Sequence, residues 1–295
     1  MHSITLMTYN LLSPGHADWP RRRQAMLADL RALRPDVVAL QECVLTRDYD
    51  QAVDLLGEEY HTAWHPGRSA DGVSAVLCSR FPFGDVRAID LHVTSRVSLP
   101  WSAAVLAAIK FPPPLGAVLV AHHKPTYELG HGRERELQAV ACARSIERYV
   151  GDRELHVIVL GDFDDPPDSA SVRFWTGRQS LDGFSVAYRD AWESVNGTDP
   201  GHTFAAENPL VRAGEMSLEL GRRIDYVLVR AASTDPASMS RSAGGYSISP
   251  STARGPATTT PYSPDSRYPI VRPAVGDREA EGRTARREPG PYFVA

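Results

Sequence analysis

The chain has 295 residues, 42% of them hydrophobic, with a formal net charge of -4, enough apolar content for one large two-layer core and too little positive charge for a general nucleic-acid coat. Cys43, Cys78 and Cys142 are odd in number and lack metal-ligand spacing, which excludes a disulfide framework or zinc site and reads as small buried residues in a reducing compartment. With neither a charged leader before an apolar stretch nor a run long enough to span a membrane, a cytoplasmic location is the default expectation.

The first apolar run, Ile4 to Tyr9, predicts a strand that delivers Asn10 at its end. Asp18 and Pro20 are helix-start signals, and Met26, Leu27, Leu30 and Leu33 share one face of a helix that stops before Pro35. Arg21, Arg22 and Arg23 read as solvated charges on it. Asp36 to Leu40 predicts a second strand, leading into Gln41 and Glu42. A short helix near Tyr49 to Leu56 precedes strands around 61–65, 73–79, 85–93 and 103–110. The strand ending at Ala121 runs into His122 and His123. A long helix follows over 132–150, whose Arg133-Glu134-Arg135-Glu136 start fits surface ion pairs at i, i+3 and i, i+4.

Val157-Ile158-Val159-Leu160 then lead into Gly161-Asp162-Phe163-Asp164. A buried strand with two carboxylates at its end aims oxygen ligands at a metal or a water, and Gly161 is expected to leave room for that approach. Taken alone, the same pattern describes a solvated acidic turn. In Arg223 to Val229, Asp225 falls inside an otherwise apolar strand, where an ionised carboxylate is costly without a partner.

Thr8-Tyr9-Asn10-Leu11, Leu40-Gln41-Glu42, the histidine after the strand at 118–121, Gly161-Asp162-Phe163-Asp164 and Arg223-Ile224-Asp225-Tyr226 occur in an order that resembles the endonuclease/exonuclease/phosphatase superfamily, the DNase I-like proteins. Ser79-Arg80-Phe81-Pro82 and Gly201-His202-Thr203-Phe204 support the resemblance, which covers residues 1–230. It implies an α/β fold, a four-layer α/β/β/α sandwich of two mixed sheets with the site at one edge.

The resemblance also implies a metal-dependent hydrolase of phosphodiester or phosphomonoester bonds. Glu42, helped by Asn10, would hold Mg2+, or Mn2+ in its place, and Asp162 would orient or deprotonate the attacking water. Asp164, where many relatives carry asparagine, would fix substrate or metal geometry. His123, preferred over His122 because Lys124-Pro125 follow it, would hydrogen-bond the phosphate, and Asp225 would orient a later histidine. His122, Asn10 and Arg223 are further candidates for substrate contact. The substrate could be a nucleic acid, a lipid head group or a sugar phosphate, and a monomer is expected. A catalytically inactive phosphate-ligand binding module of the same fold is the main alternative. A calcium-binding role for Asp162, Asp164, Asp165 and Asp168 is opposed by the missing central Gly and terminal Glu of a calcium loop.

From Ala231 the composition shifts to Ser, Thr, Pro, Ala, Gly and Arg without apolar periodicity, so 231–295 is expected to be a disordered tail and the last strands missing or disordered. The family's Ser-Asp-His segment is absent. Its nearest echo, Ser263-Pro264-Asp265-Ser266-Arg267-Tyr268-Pro269, has no histidine, and none follows His202. A frame displaced by one base accounts for this. Threonine codons begin AC, so the displaced triplet encodes Asn, Asp, His or Tyr; Thr258-Thr259-Thr260 is compatible with Asp-His-Tyr and Gly255-Pro256-Ala257 with Trp-Ala-Ser. The tail is therefore expected to be translated out of frame, and sequencing the coding DNA tests it: the displaced frame must spell Ser-Asp-His across 257–259.

Overall fold

Two six-stranded sheets stack face to face in the computed structural model, which describes residues 4–113, 115–214, 216, 221–231, 246–250 and 270–275. The first sheet runs in the order β11 (Tyr246–Pro250), β12 (Ile270–Val275), β1 (Leu6–Asn10), β2 (Val37–Val44), β4 (Val73–Ser79), β3 (His61–Trp64). The second runs β5 (Phe83–Asp90), β6 (Ala103–Lys110), β7 (Ala117–Lys124), β8 (His156–Asp162), β10 (Asp225–Arg230), β9 (Tyr188–Asp190). The β1–β2 and β7–β8 pairs are parallel and the others antiparallel, so both sheets are mixed.

Strand alternation sorts the apolar side chains into layers. Leu6, Val37, Ala39, Leu77, Val105, Val120, Leu160 and Val227 fill the space between the sheets. Their neighbours Met7, Tyr9, Val38, Leu40 and Val76 face the other way, onto α1 (Trp19–Leu33) and α2 (Gln51–Leu56). On the second sheet Leu119, Ala121, Val157, Val159, Tyr226 and Leu228 pack under α3 (Gly132–Val150) and α4 (Ala170–Trp175). Shorter helices α5 (Ala191–Asn196) and α6 (Pro209–Ala213) follow β9. This is the four-layer α/β/β/α sandwich expected from the sequence. Among the described residues no helix is long and apolar enough to cross a membrane.

Three local expectations are corrected. Composition assigns disorder beyond 231, yet β11 and β12 are strands, and β12 pairs antiparallel with β1 at Leu6↔Val271 and Met7↔Ile270. An open ladder beside β1 needs only a short extended partner, which a composition window does not register. The Thr258–Thr260 run and the 263–269 echo lie outside the described residues. Arg22 is not a solvated charge: it is 3% exposed, and its guanidinium donates to the carbonyls of Leu11, Leu12, Ser13 and His16, pinning the loop after β1. At the start of α3 only Arg133 and Glu136 form the expected surface pair. Glu134 and Arg135 are buried, paired with Arg96 and Asp165.

The approach that Gly161 permits is made by a neighbouring strand rather than by a ligand. Its φ is +151°, and a Cβ built there would stand 2.1 Å from the backbone oxygen of His123 on β7. Gly161→Ala therefore combines a strained backbone with a backbone clash that no rotamer relieves. It should destabilise the fold by about 3 kcal/mol, read as a lowered urea midpoint.

Candidate active site

The alternation that builds the core also collects the polar residues at one end of the inter-sheet space. Continuing the inward series Leu6 and Thr8 gives Asn10; Val118 and Val120 give His122 and Lys124; Leu160 gives Asp162; Val227, read backwards, gives Asp225. On β2 the same count would send Glu42 to the helix side. A bulge between Leu40 and Cys43 prevents it: Glu42 takes φ +55°, and Cys43 resumes packing with the α1/α2 layer. The extra residue re-aims one carboxylate toward the gap between the sheets.

Asn10 ties the two sheets together there. Its Oδ1 accepts the Leu12 N–H at 2.9 Å, which fixes the amide orientation, and its Nδ2 donates to Glu42 Oε1 at 3.0 Å and to Asp162 Oδ2 at 2.9 Å. Lys124 approaches from β7, with Nζ 3.3 Å from Asp162 Oδ2 and in contact with Asp164 Oδ2. Asp164, also in the left-handed region at φ +55°, donates its backbone N–H to Asp162 Oδ1 at 3.2 Å. Asp225 stands directly opposite Asp162 across the β8–β10 ladder, and Thr203 accepts its backbone N–H at 3.3 Å.

A model of the Endonuclease/Exonuclease/phosphatase family matches residues 7–251. The chain belongs to that family. Its fold is shared by the human Nocturnin catalytic domain, at 14% identity, TM-score 0.62 and coverage of 93% of this chain and 94% of that one. Truncated TDP2 of Caenorhabditis elegans is 17% identical with TM-score 0.61, covering 93% and 98%, and a mannosyl-6-phosphatase of Bacteroides thetaiotaomicron is 15% identical with TM-score 0.62, covering 93% and 100%. No curated protein matches the chain at a significant level.

Of the residues singled out in the sequence, Asn10, Glu42, Asp162, Asp164 and Asp225 come together at this end of the inter-sheet space. His123 and Arg223 do not. His123 has the opposite strand parity and lies on the helix side of the sheet, its ring 4.9 Å from that of Phe163 and 5.7 Å from that of Trp175. His122 faces inward, with Nε2 2.8 Å from Gln41 Nε2. Since the amide nitrogen is a donor, the ring is neutral at Nε2. Arg223 is buried against Asp190 and stacked on Tyr226 at 4.7 Å, so it braces β10 instead of facing substrate. The calcium alternative loses its ligands: Asp164 is engaged by Lys124, Asp165 by Arg135, and Asp168 lines a cleft with Trp192, His202 and Arg222.

Lys124 and Thr203 carried no role in the sequence reading. The signal for Lys124 was its place two residues beyond His122, on the same face.

The donor set fits a hard cation. Glu42 and Asp162 offer only oxygen, and their carboxylates converge on one amide nitrogen. Magnesium binds through one or two carboxylates and keeps water and phosphate oxygens in its shell. Among the described residues no group of three or more His, Cys, Asp or Glu is placed to hold a metal ion. An ion held at Glu42, with Asn10 fixing the carboxylate, matches that open habit.

Burial shapes the charges. It lifts Asp225 well above the ordinary carboxylate range, helped by Asp162 and opposed by Thr203. Asp164 is pushed up to about 7 by burial and by Asp162, against the pull of Lys124. For Lys124, burial works against the charged form, and Asp162 and Asp164 more than offset it, so the ammonium stays protonated.

His65 and His123 are both held down to about 3, chiefly by burial, with Lys124 adding repulsion. Their folded values lie below the unfolded value near 6.5, so the unfolded chain binds more protons in between. Stability is full above about pH 6.5 and is lost as pH falls toward 3. At pH 5 each buried histidine costs about 2 kcal/mol relative to pH 7. The urea midpoint should drop over that interval, and His123→Phe should make the drop shallower.

Proposed function

We propose that the protein is a divalent-metal-dependent phosphoesterase acting on a phosphodiester or phosphomonoester, impaired in the form translated here. The observation that carries this reading is the convergence of Asn10 and Glu42 from one sheet with Asp162 and Asp225 from the other. Membership of the family supports it, as does the likeness in fold to a mannosyl-6-phosphatase. A monomer working in the cytoplasm is the simplest setting.

In this mechanism Glu42 would hold magnesium, or manganese in its place, with Asn10 fixing the carboxylate. When bound, the ion supplies Lewis acidity toward a phosphoryl oxygen. Asp162, oriented by Asn10 and Lys124, positions a water and takes its proton as the water oxygen attacks phosphorus; the ester P–O bond breaks, and the departing alkoxide takes a proton from solvent. Asp164 sets the outer edge of the site through its backbone bond to Asp162. Asp225, half-buried and opposite Asp162, is where a catalytic histidine would dock, and that contact would add a cationic partner to the Thr203 hydroxyl.

No histidine follows His202 in this sequence, so that group is missing. Loss of a positioned proton-transfer group typically lowers a rate by about 10²- to 10⁴-fold. The same absence favours a second reading, a phosphate-ligand binding module without turnover. An out-of-frame tail beyond 231 explains how an otherwise complete site comes to lack its histidine.

Bis-p-nitrophenyl phosphate, single-stranded DNA, sphingomyelin and mannose 6-phosphate, each assayed with Mg2+ or Mn2+, separate these cases. The chain as translated should hydrolyse at least one slowly, EDTA should abolish it, and Asp162→Asn should lower it at least about 100-fold. A frame-corrected chain should be about 10²- to 10⁴-fold faster. If that corrected chain turns over none of the substrates with either metal, the hydrolase reading fails. Equal rates from both chains would remove the impairment.

A further inference from the structure

Lys124 is the one lysine or arginine in contact with the Asp162/Asp164 pair among the described residues. It is 2% exposed, and its ammonium meets both acids. The two partners are unequal. Asp162, with a side chain 3% exposed, is the inner one and shares its Oδ2 with Asn10, whereas Asp164 is the outer one, 12% exposed, and offers Lys124 its Oδ2. Asp164 is also held in the left-handed backbone region, so its carboxylate is presented to Lys124 from a strained turn.

Resting on the phosphoesterase reading, we propose that Lys124 is the substrate-phosphate ligand of this site and that Asp164 occupies its place until substrate arrives. A phosphoryl oxygen at the rim displaces the Asp164 carboxylate from the ammonium, while Asp162 keeps the inner contact and holds Nζ in position. The exchange trades one anion for another on the same donor, so the lysine is never left buried without a partner, the state that burial penalises most. It needs a carboxylate at 164. An asparagine there, as in many relatives, would leave the lysine a weaker outer partner and free it for phosphate from the start. Asp164 thus acts as a built-in competitor that weakens binding of free phosphate product.

Inorganic phosphate, titrated calorimetrically into the full chain at saturating magnesium, tests this without turnover. Lys124→Met should weaken phosphate binding at least about tenfold, the loss of one charge-assisted contact. Asp164→Asn should strengthen it about threefold to tenfold, and the double variant should bind as weakly as Lys124→Met. Magnesium affinity, measured separately, should not fall in Lys124→Met. Should that variant fail to fold, Lys124→Gln replaces it in both the single and the double variant, because loss of the Asp164 charge eases phosphate binding by itself and only a gain that needs the lysine assigns it as the ligand. Unchanged or weaker phosphate binding in Asp164→Asn overturns the proposal, as does unchanged binding in a folded Lys124→Met. Phosphate binding that follows these variants while the frame-corrected chain hydrolyses nothing would sink the hydrolase reading and leave the lysine a phosphate ligand.

Discussion

The Asn10 amide, donating to Glu42 on its own sheet and Asp162 on the other, is the interaction on which the site depends. Two stacked sheets have no backbone hydrogen bonds between them, so their relative position at the open end is set by side chains alone. One amide with a fixed orientation, locked by the Leu12 N–H, sets the spacing of two carboxylates that would otherwise repel. The loop it relies on is held in turn by Arg22, which gathers the carbonyls of Leu11, Leu12, Ser13 and His16. Precision at the rim is therefore supported by a buried arginine on the first helix.

The second sheet is braced in a similar way. Arg135 pairs with Asp165 just after the Asp162–Asp164 turn, and the Tyr226 hydroxyl donates to the backbone oxygens of Asp165 and Arg223, stitching that turn to the strand that bears Asp225. Arg223 with Asp190 fixes the far side of the same strand. Buried pairs like these add little net stability, because each charge is costly to desolvate. Their value lies in geometry: a desolvated guanidinium tolerates few positions for its partner.

Much of this was legible from the chain because sheet parity is a property of sequence. Asn10, Glu42 and Asp162 were readable as ligands at strand ends and Asp225 as a carboxylate inside a strand that calls for a partner, and the family resemblance grouped them. Parity also explains the misassignment between the histidines. His122 and His123 are adjacent, so one faces the gap and the other the helices, and the preference for His123 rested on its neighbours in the chain instead of on its side of the strand. Counting back from Val118 and Val120 assigns the inner face to His122 and Lys124. Parity fails where it is broken on purpose. The bulge at Glu42 has no glycine or proline to announce it, and only contacts across the sheet reveal that two successive residues, Gln41 and Glu42, turn inward together. Burial of Arg22 and Arg135 was equally hidden, since a helical arginine that snorkels and one that caps carbonyls share the same local pattern.

Charge balance links these observations to the chemistry. Glu42, Asp162, Asp164 and Asp225 bring four carboxyl groups to the rim, and Lys124 supplies one opposing charge. Burial responds by favouring the neutral form of Asp225 and raising Asp164. A divalent ion at Glu42 would reverse that pressure and let more of the carboxylates ionise together. A histidine beside Asp225 would do the same at the opposite end of the cluster. Among the described residues four carboxyl groups therefore face one ammonium, an imbalance that a cation at either end would ease. The same pressure that raises Asp164 and Asp225 burdens folding, so its relief by an added positive charge should raise the stability of the ionised site.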